Sequence, residues 1–239
     1  MFIPIHDANR LQHIGLQWGT LALIAANLIV FILEQTPLWS RDLTAGLGLI
    51  PITLMGSAAR VEEIALIPEP LTLLTYTFVH ADFLHLLGNM LFLWVFGDNV
   101  EDAVGHLRFI LFYVLCGIGA GLLHAVVQPE SGAVLIGASG AVAGVIAAYL
   151  ILHPKVWVWF LFLSKIPLRL PAFLLLGAWI ALQLFYAFTE GDVVVAWWAH
   201  VGGAAMGAIL IFVLRRSGTP LFDRGLTTAR NAPQPEAQP

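Results

Sequence analysis

Charges divide this chain, and the intervals between them constrain it more than any other feature. Only 11 Lys+Arg and 15 Asp+Glu occur in 239 residues. One apolar run covers Leu16–Leu33, and others lie between Asp82 and Asp98, Arg108 and Glu130, Glu130 and Lys155, Arg169 and Glu190, and Asp192 and Arg215. A helix needs roughly 20 apolar residues to cross a bilayer core, within a range of ~17–25. Five of the runs meet this. The second is short and carries His85 and Asn89, which suits an inner helix of a bundle. With 59% apolar and 11% charged residues, a soluble globule would expose apolar patches well beyond what monomers tolerate. A cytosolic globule, a disordered chain and a nucleic-acid binder are therefore excluded. The predicted fold class is an all-α polytopic membrane protein with six transmembrane helices.

Lys and Arg alone set orientation. With the N-terminus inside, the inner segments hold Arg10, Arg108, Lys155, Lys165, Arg169, Arg215, Arg216, Arg224 and Arg230, and the outer ones only Arg41 and Arg60. Both termini are expected in the cytoplasm. The expected organisation is a cytoplasmic N-terminus over 1–15, a membrane domain over 16–215 and a disordered cytoplasmic tail over 216–239 rich in Pro, Ala, Gln and Thr. The first run reads as a retained signal-anchor, and a bacterial inner membrane is the expected location. The connection over 34–81 contains Trp39, Leu47, Leu49, Ile50, Leu54, Ile64, Leu66 and Ile67. It is too apolar for a linker and is predicted to lie partly in the outer interface. Val156–Ser164, with Trp157 and Trp159 and flanking lysines, is too short to span and reads as an interfacial segment. The single cysteine, Cys116, excludes an internal disulfide framework.

Intramembrane polar residues are costly and face the bundle interior. Here they are Asn27, His85, Asn89, His124, Ser139, Gln183 and His200. The second, fourth and sixth spans run in the same direction, and His85, Ser139 and His200 each fall in the first half of theirs, on the outer side. His124 is expected near the outer surface, where water can solvate it. Ser139, in Gly137-Ala138-Ser139-Gly140, opens the fourth span, where first-turn N–H groups are unpaired and can stabilise an oxyanion. Taken alone, that pattern more often means close helix packing. His200 shares a helical face with Gly203 and Gly207. If that face meets Gly140 and Gly144, imidazole and hydroxyl come together as a base and a nucleophile. His85 and Asn89, four apart, suit an oxyanion hole. Zinc needs three or four ligands, and a third histidine is missing unless His80 or His200 joins. No acidic residue accompanies His200, so a dyad rather than a triad is expected.

These residues resemble a family. Gly-Ala-Ser-Gly at 137–140, Ala-His-x-x-Gly-x-x-x-Gly at 199–207 and His-x-x-x-Asn at 85–89 look like the rhomboid intramembrane serine proteases. Phe78–Met90, and Phe96–Glu101 followed by Gly105 and Arg108, are also similar to the family. The resemblance implies a six-helix core that cleaves substrate transmembrane segments. It implies Ser139 as nucleophile and His200 as general base, with His85, Asn89 and the Ser139 backbone amide as oxyanion donors. It further implies Glu101 and Arg108 as a structural pair, the 34–81 connection as a membrane-lying loop, and the fifth span with the loop after it as a lateral gate. Some relatives carry a tyrosine four residues after the nucleophile, on which the histidine stacks; here that position is Ala143. The expected partners are transmembrane protein substrates and the bilayer, without a metal or cofactor. The rivals are a non-catalytic helix-binding relative and a small transporter, the latter disfavoured by the absence of an internal repeat.

Overall fold

The computed structural model describes residues 2–36, 42–163, 165–189 and 195–223. Trp39 and Arg41 lie outside them. Six apolar helices dominate: α1 Trp18–Glu34, then, after three one-turn or two-turn helices in the connection (α2 Asp42–Leu47, α3 Pro51–Leu54, α4 Thr72–Thr75), α5 Phe83–Val104, α6 His106–Val127, α7 Ser139–Leu152, α8 Ala172–Thr189 and α9 Trp197–Leu214. Four of them, α5, α6, α8 and α9, are long and apolar enough to cross a membrane, whereas α1 and α7 are shorter apolar helices. Leu28, Ile32, Phe185, Phe188, Ile209 and Val213 stay exposed, as expected where lipid replaces water as solvent.

The helix ends follow from local chemistry. Asp82 caps α5, its carboxylate accepting from the His85 N–H at 2.9 Å. Gly105, at φ 92°, separates α5 from α6, a left-handed conformation that favours glycine. Near that junction two carboxylates gather the N-terminal segment. Glu101 is fully buried and accepts from the Gly19 and Thr20 N–H groups and the Thr20 hydroxyl, each at 2.7 Å. An anion at the first turn of α1 complements that helix's dipole. Asp102 accepts from the backbone N–H groups of Gln12, His13 and Ile14 at 3.0, 2.6 and 2.8 Å. The expected Glu101–Arg108 pair does not form. Glu101 takes His106 as its ionisable neighbour, at 2.5 Å, and Arg108 is exposed.

The all-α expectation is corrected by a three-stranded antiparallel sheet. Its order is β1 (Phe2–Asp7), β2 (Trp157–Phe162), β3 (Ile166–Pro171). The stretch read as an interfacial segment is mostly β2, and its last residue, Ser164, lies outside the described residues. In β2 Val158 and Phe160 are buried while Trp157 and Trp159 are exposed, the two-residue period of a strand. Arg169 on β3 lies over both tryptophan rings, 5.1 and 5.7 Å from their centroids. The N-terminal fifteen residues therefore contain a strand whose ladder partner lies far along the chain, from Phe2 facing Phe162 to Asp7 facing Val158. β1 packs against α5, with the Phe2 and Phe92 rings 5.5 Å apart, while β2 and β3 pack against α8.

The tail expected to be disordered from 216 is packed at its start. The N–H groups of Phe222 and Asp223 donate to Ile151 and Leu152 carbonyls at 2.8 and 2.9 Å, and His153 Nδ1 meets Asp223 Oδ1 at 2.7 Å. Residues 224–239 lie outside the described residues.

Candidate active site

Helix packing brings the polar residues together. α9 lies in its most extensive contacts against α7 and α6. At the crossing with α7, a Cβ placed on Gly203 would overlap the carbonyl oxygen of Gly140, and one on Gly207 would overlap that of Gly144. The two glycine pairs, each four residues apart, mesh backbone on backbone, as small residues allow in membranes. One turn before Gly203, His200 Nε2 stands 2.9 Å from Ser139 Oγ. Ser139 is the first residue of α7.

The chain before Ser139 is held from outside the bundle. Leu49 and Leu135 exchange two backbone hydrogen bonds, at 3.0 and 2.7 Å, Ile52 N–H donates to Ser131 at 3.0 Å, and Gly137 N–H donates to Tyr76 at 2.9 Å. The described part of the connection, 42–81, thus braces the segment that delivers the serine. Arg60 stiffens it, bonding Glu69 through Nε at 2.5 Å and the Ala45 and Gly48 carbonyls. Gly137, at φ 112°, makes the turn into α7, and the His85 ring stands where a Cβ would project, 2.7 Å from its position.

His85 and Asn89 both face this turn, the Asn89 Nδ2 3.8 Å from that same Cβ position. Asn89 Nδ2 donates to His80 Nε2 at 3.1 Å, and Ala138 N–H donates to the same nitrogen at 3.4 Å. His80 Nδ1 faces the Phe78 carbonyl at 3.2 Å, so it carries the proton and Nε2 accepts. Burial, aided by the neighbouring His85 ring, pushes the His80 imidazole down to about 4. It is neutral and serves as an acceptor that orients the Asn89 amide. Sequence reasoning missed this role.

A cavity of about 1000 Å³ opens over the site. Ser139, His200 and His85 line it together with His124, Gln128 and the 130–136 segment. Asn89 sits behind it, 7% exposed. His124 was expected near a surface; it is buried instead, with Nδ1 unpartnered among the described residues and the ring at the cavity wall. Three further side chains reach His200. Gln183 Oε1 is 2.7 Å from its Nδ1, and the Trp179 and Trp197 rings each lie 6.0 Å from it, centroid to centroid. Gln183 was visible as a lone amide in an apolar run, but its target was not, because nothing local tells which helix it faces.

Fold and site define a helical, multi-pass integral membrane protein with a serine–histidine pair beneath a cavity lined by both polar and apolar side chains. The chain belongs to the rhomboid family: the Rhomboid domain model matches residues 68–217. It is 31% identical over 162 residues to Rhomboid-like protein 11, chloroplastic, of Arabidopsis thaliana, covering 63% of this chain and 54% of that one. It is 30% identical over 155 residues to Rhomboid protein 1, mitochondrial, of Saccharomyces cerevisiae, covering 60% and 41%. Presenilin-associated rhomboid-like protein, mitochondrial, of Mus musculus is 26% identical over 219 residues, covering 85% and 52%. The chain spans about half the length of these relatives. By name they are chloroplastic and mitochondrial proteins, and they lend no support to the bacterial location expected from sequence.

Proposed function

We propose that this protein is an intramembrane serine endopeptidase that cleaves transmembrane segments of other membrane proteins, with Ser139 as nucleophile and His200 as general base. The observation that carries the reading is the 2.9 Å approach of Ser139 Oγ to His200 Nε2 at the floor of the cavity. In this reading all six apolar helices span the bilayer, with the cavity toward the outer side and both termini in the cytoplasm. His200 Nε2 takes the hydroxyl proton as Ser139 Oγ attacks the scissile carbonyl. The negative charge that develops on that oxygen is met by the Ser139 N–H at the start of α7, by His85 and by the free amide proton of Asn89. His200 then protonates the leaving amine, and water from the cavity, activated by the same imidazole, releases the acyl group. A helical substrate has its carbonyls already hydrogen-bonded, so segments weakened by Gly or Pro are the preferred class.

The test is cleavage of a model single-span membrane protein in liposomes by the purified protein and by Ser139→Ala. Cleavage by the first alone is the expected result. Retained cleavage in Ser139→Ala removes the assignment. Binding of the substrate without cleavage by either protein favours the rival, a helix-binding relative without catalysis.

A further inference from the structure

Dyad chemistry uses one nitrogen of His200, and the other has a partner. His200 is 8% exposed and Gln183 is 7% exposed. A primary amide buried in an apolar helix is costly unless its groups are paired. Both of its ends are paired here. Gln183 Nε2 lies 3.3 Å from the Trp179 carbonyl oxygen, which can only accept, so the amino group must face it. That leaves Oε1 toward His200 Nδ1 at 2.7 Å. An oxygen can only accept in turn, so Nδ1 carries the ring proton. Nε2 is left bare toward Ser139 Oγ. A reversed amide would donate to Nδ1, place the proton on Nε2 and abolish the base. The Trp179 carbonyl prevents that reversal.

The same stretch of α8 supports the ring itself. Trp179 and Gln183 are four apart, on one face. The Trp179 ring lies 6.0 Å from the imidazole at 34°, and Trp197 meets it nearly edge-on at 81°. At the position four residues after Ser139, Ala143 offers only a methyl group.

We propose that Gln183 is the positioning residue for His200: it fixes the tautomer that makes Nε2 the base and, with Trp179, fixes the ring's direction. This rests on the reading of Ser139 and His200 as the catalytic pair. A neutral amide does here what a carboxylate does in a soluble triad, without the cost of a buried charge. Through His200, α8 thereby takes an indirect part in the chemistry. Its buried side chains are only Ala172, Leu175, Leu176, Gln183 and Ala187.

The test combines turnover with a spectroscopic signature. Wild type, Gln183→Leu and Gln183→Glu are assayed on the model substrate across pH. The ring nitrogens of His200 are observed by 15N NMR and identified by their loss in His200→Ala. Gln183→Leu is expected to lower kcat on the order of 100-fold, to leave KM within a few-fold, and to replace a single Nδ1–H tautomer by a mixture. Gln183→Glu is expected to keep substantial activity and to move the acidic limb of the profile to higher pH, since a carboxylate beside the ring favours its charged form. Wild-type kcat together with an unchanged tautomer in Gln183→Leu overturns the proposal. If that variant does not fold, an unmoved acidic limb in Gln183→Glu overturns it alone. Cleavage by Ser139→Ala instead defeats the dyad reading, and the NMR result still reports whether Gln183 sets the tautomer.

Discussion

Asn89 has two amide protons, and His80 takes one of them. The other remains for charge that develops on a substrate oxygen. Such a donor acts in the transition state more than in the ground state. Asn89→Ala is therefore expected to lower kcat by about 10²–10³-fold with KM little changed; a change confined to KM would make Asn89 a substrate contact instead. Asp7 gives a second prediction at this scale. It is 4% exposed and accepts from the Tyr149 hydroxyl at 2.6 Å and from Asn99 Nδ2 at 3.1 Å. Burial raises its carboxyl from 3.8 to about 6, and the Tyr149 hydroxyl and then His153 counteract only part of that. Between about pH 4 and 6 the folded protein thus holds a proton that the unfolded chain has released. Asp7 then makes stability highest below pH 4 and lower as the pH rises to 6, by at most about 3 kcal/mol. Thermal melts over that range should show the slope in wild type and a flatter one in Asp7→Asn; parallel slopes would place the titration elsewhere. Ser139, His200, His85 and Asn89 were legible one by one in the sequence, because polar residues stand out in apolar runs. His80 was legible only as a possible ligand. Its role depends on the Ala138 N–H and Phe78 carbonyl around it, which no spacing encodes.

Among the elements, the α7–α9 contact sets the distance between nucleophile and base. The atoms facing Gly203 belong to the Gly140 backbone, which cannot swing aside as a side chain could. Gly203→Val is therefore expected to cost about 1–3 kcal/mol or more in stability. Because Gly140 adjoins Ser139, a displacement of about 1 Å there would lower turnover on the order of 100-fold. Unchanged melting temperature and unchanged rate in Gly203→Val would mean that the two helices do not mesh at this point. This contact was readable from sequence, since Gly140, Gly144, Gly203 and Gly207 repeat at four-residue spacing on two apolar helices. The strands were not readable in the same way. Val156–Ser164 is apolar throughout, and a short apolar run does not declare its period. One of its two partner strands, β1, lies at the other end of the sequence. The Glu101–Arg108 expectation failed for a related reason: the N–H groups that bind Glu101 come from α1, more than 80 positions away.

On the scale of the whole molecule, the sheet joins parts that the helices leave apart. Phe160 is its inner pivot, 3% exposed, paired with Pro4 and Leu168 and 5.8 Å from the Phe2 ring. Phe160→Ala is expected to cost roughly 3–5 kcal/mol. Hydrogen exchange should then quicken in β1, β2, β3 and α8 before α6, α7 and α9; uniform quickening would show that the sheet is not a separate cooperative unit. The ladder also orders events during synthesis. Phe2–Asp7 leaves the ribosome well before its hydrogen-bond partners at 158–162, which follow only after α1, α5, α6 and α7 have been made. Until then the strand's amides need water or a holdase. An early strand is thus among the last to find its place, and an assembly stalled before α8 lacks both the finished sheet and the glutamine that faces the histidine.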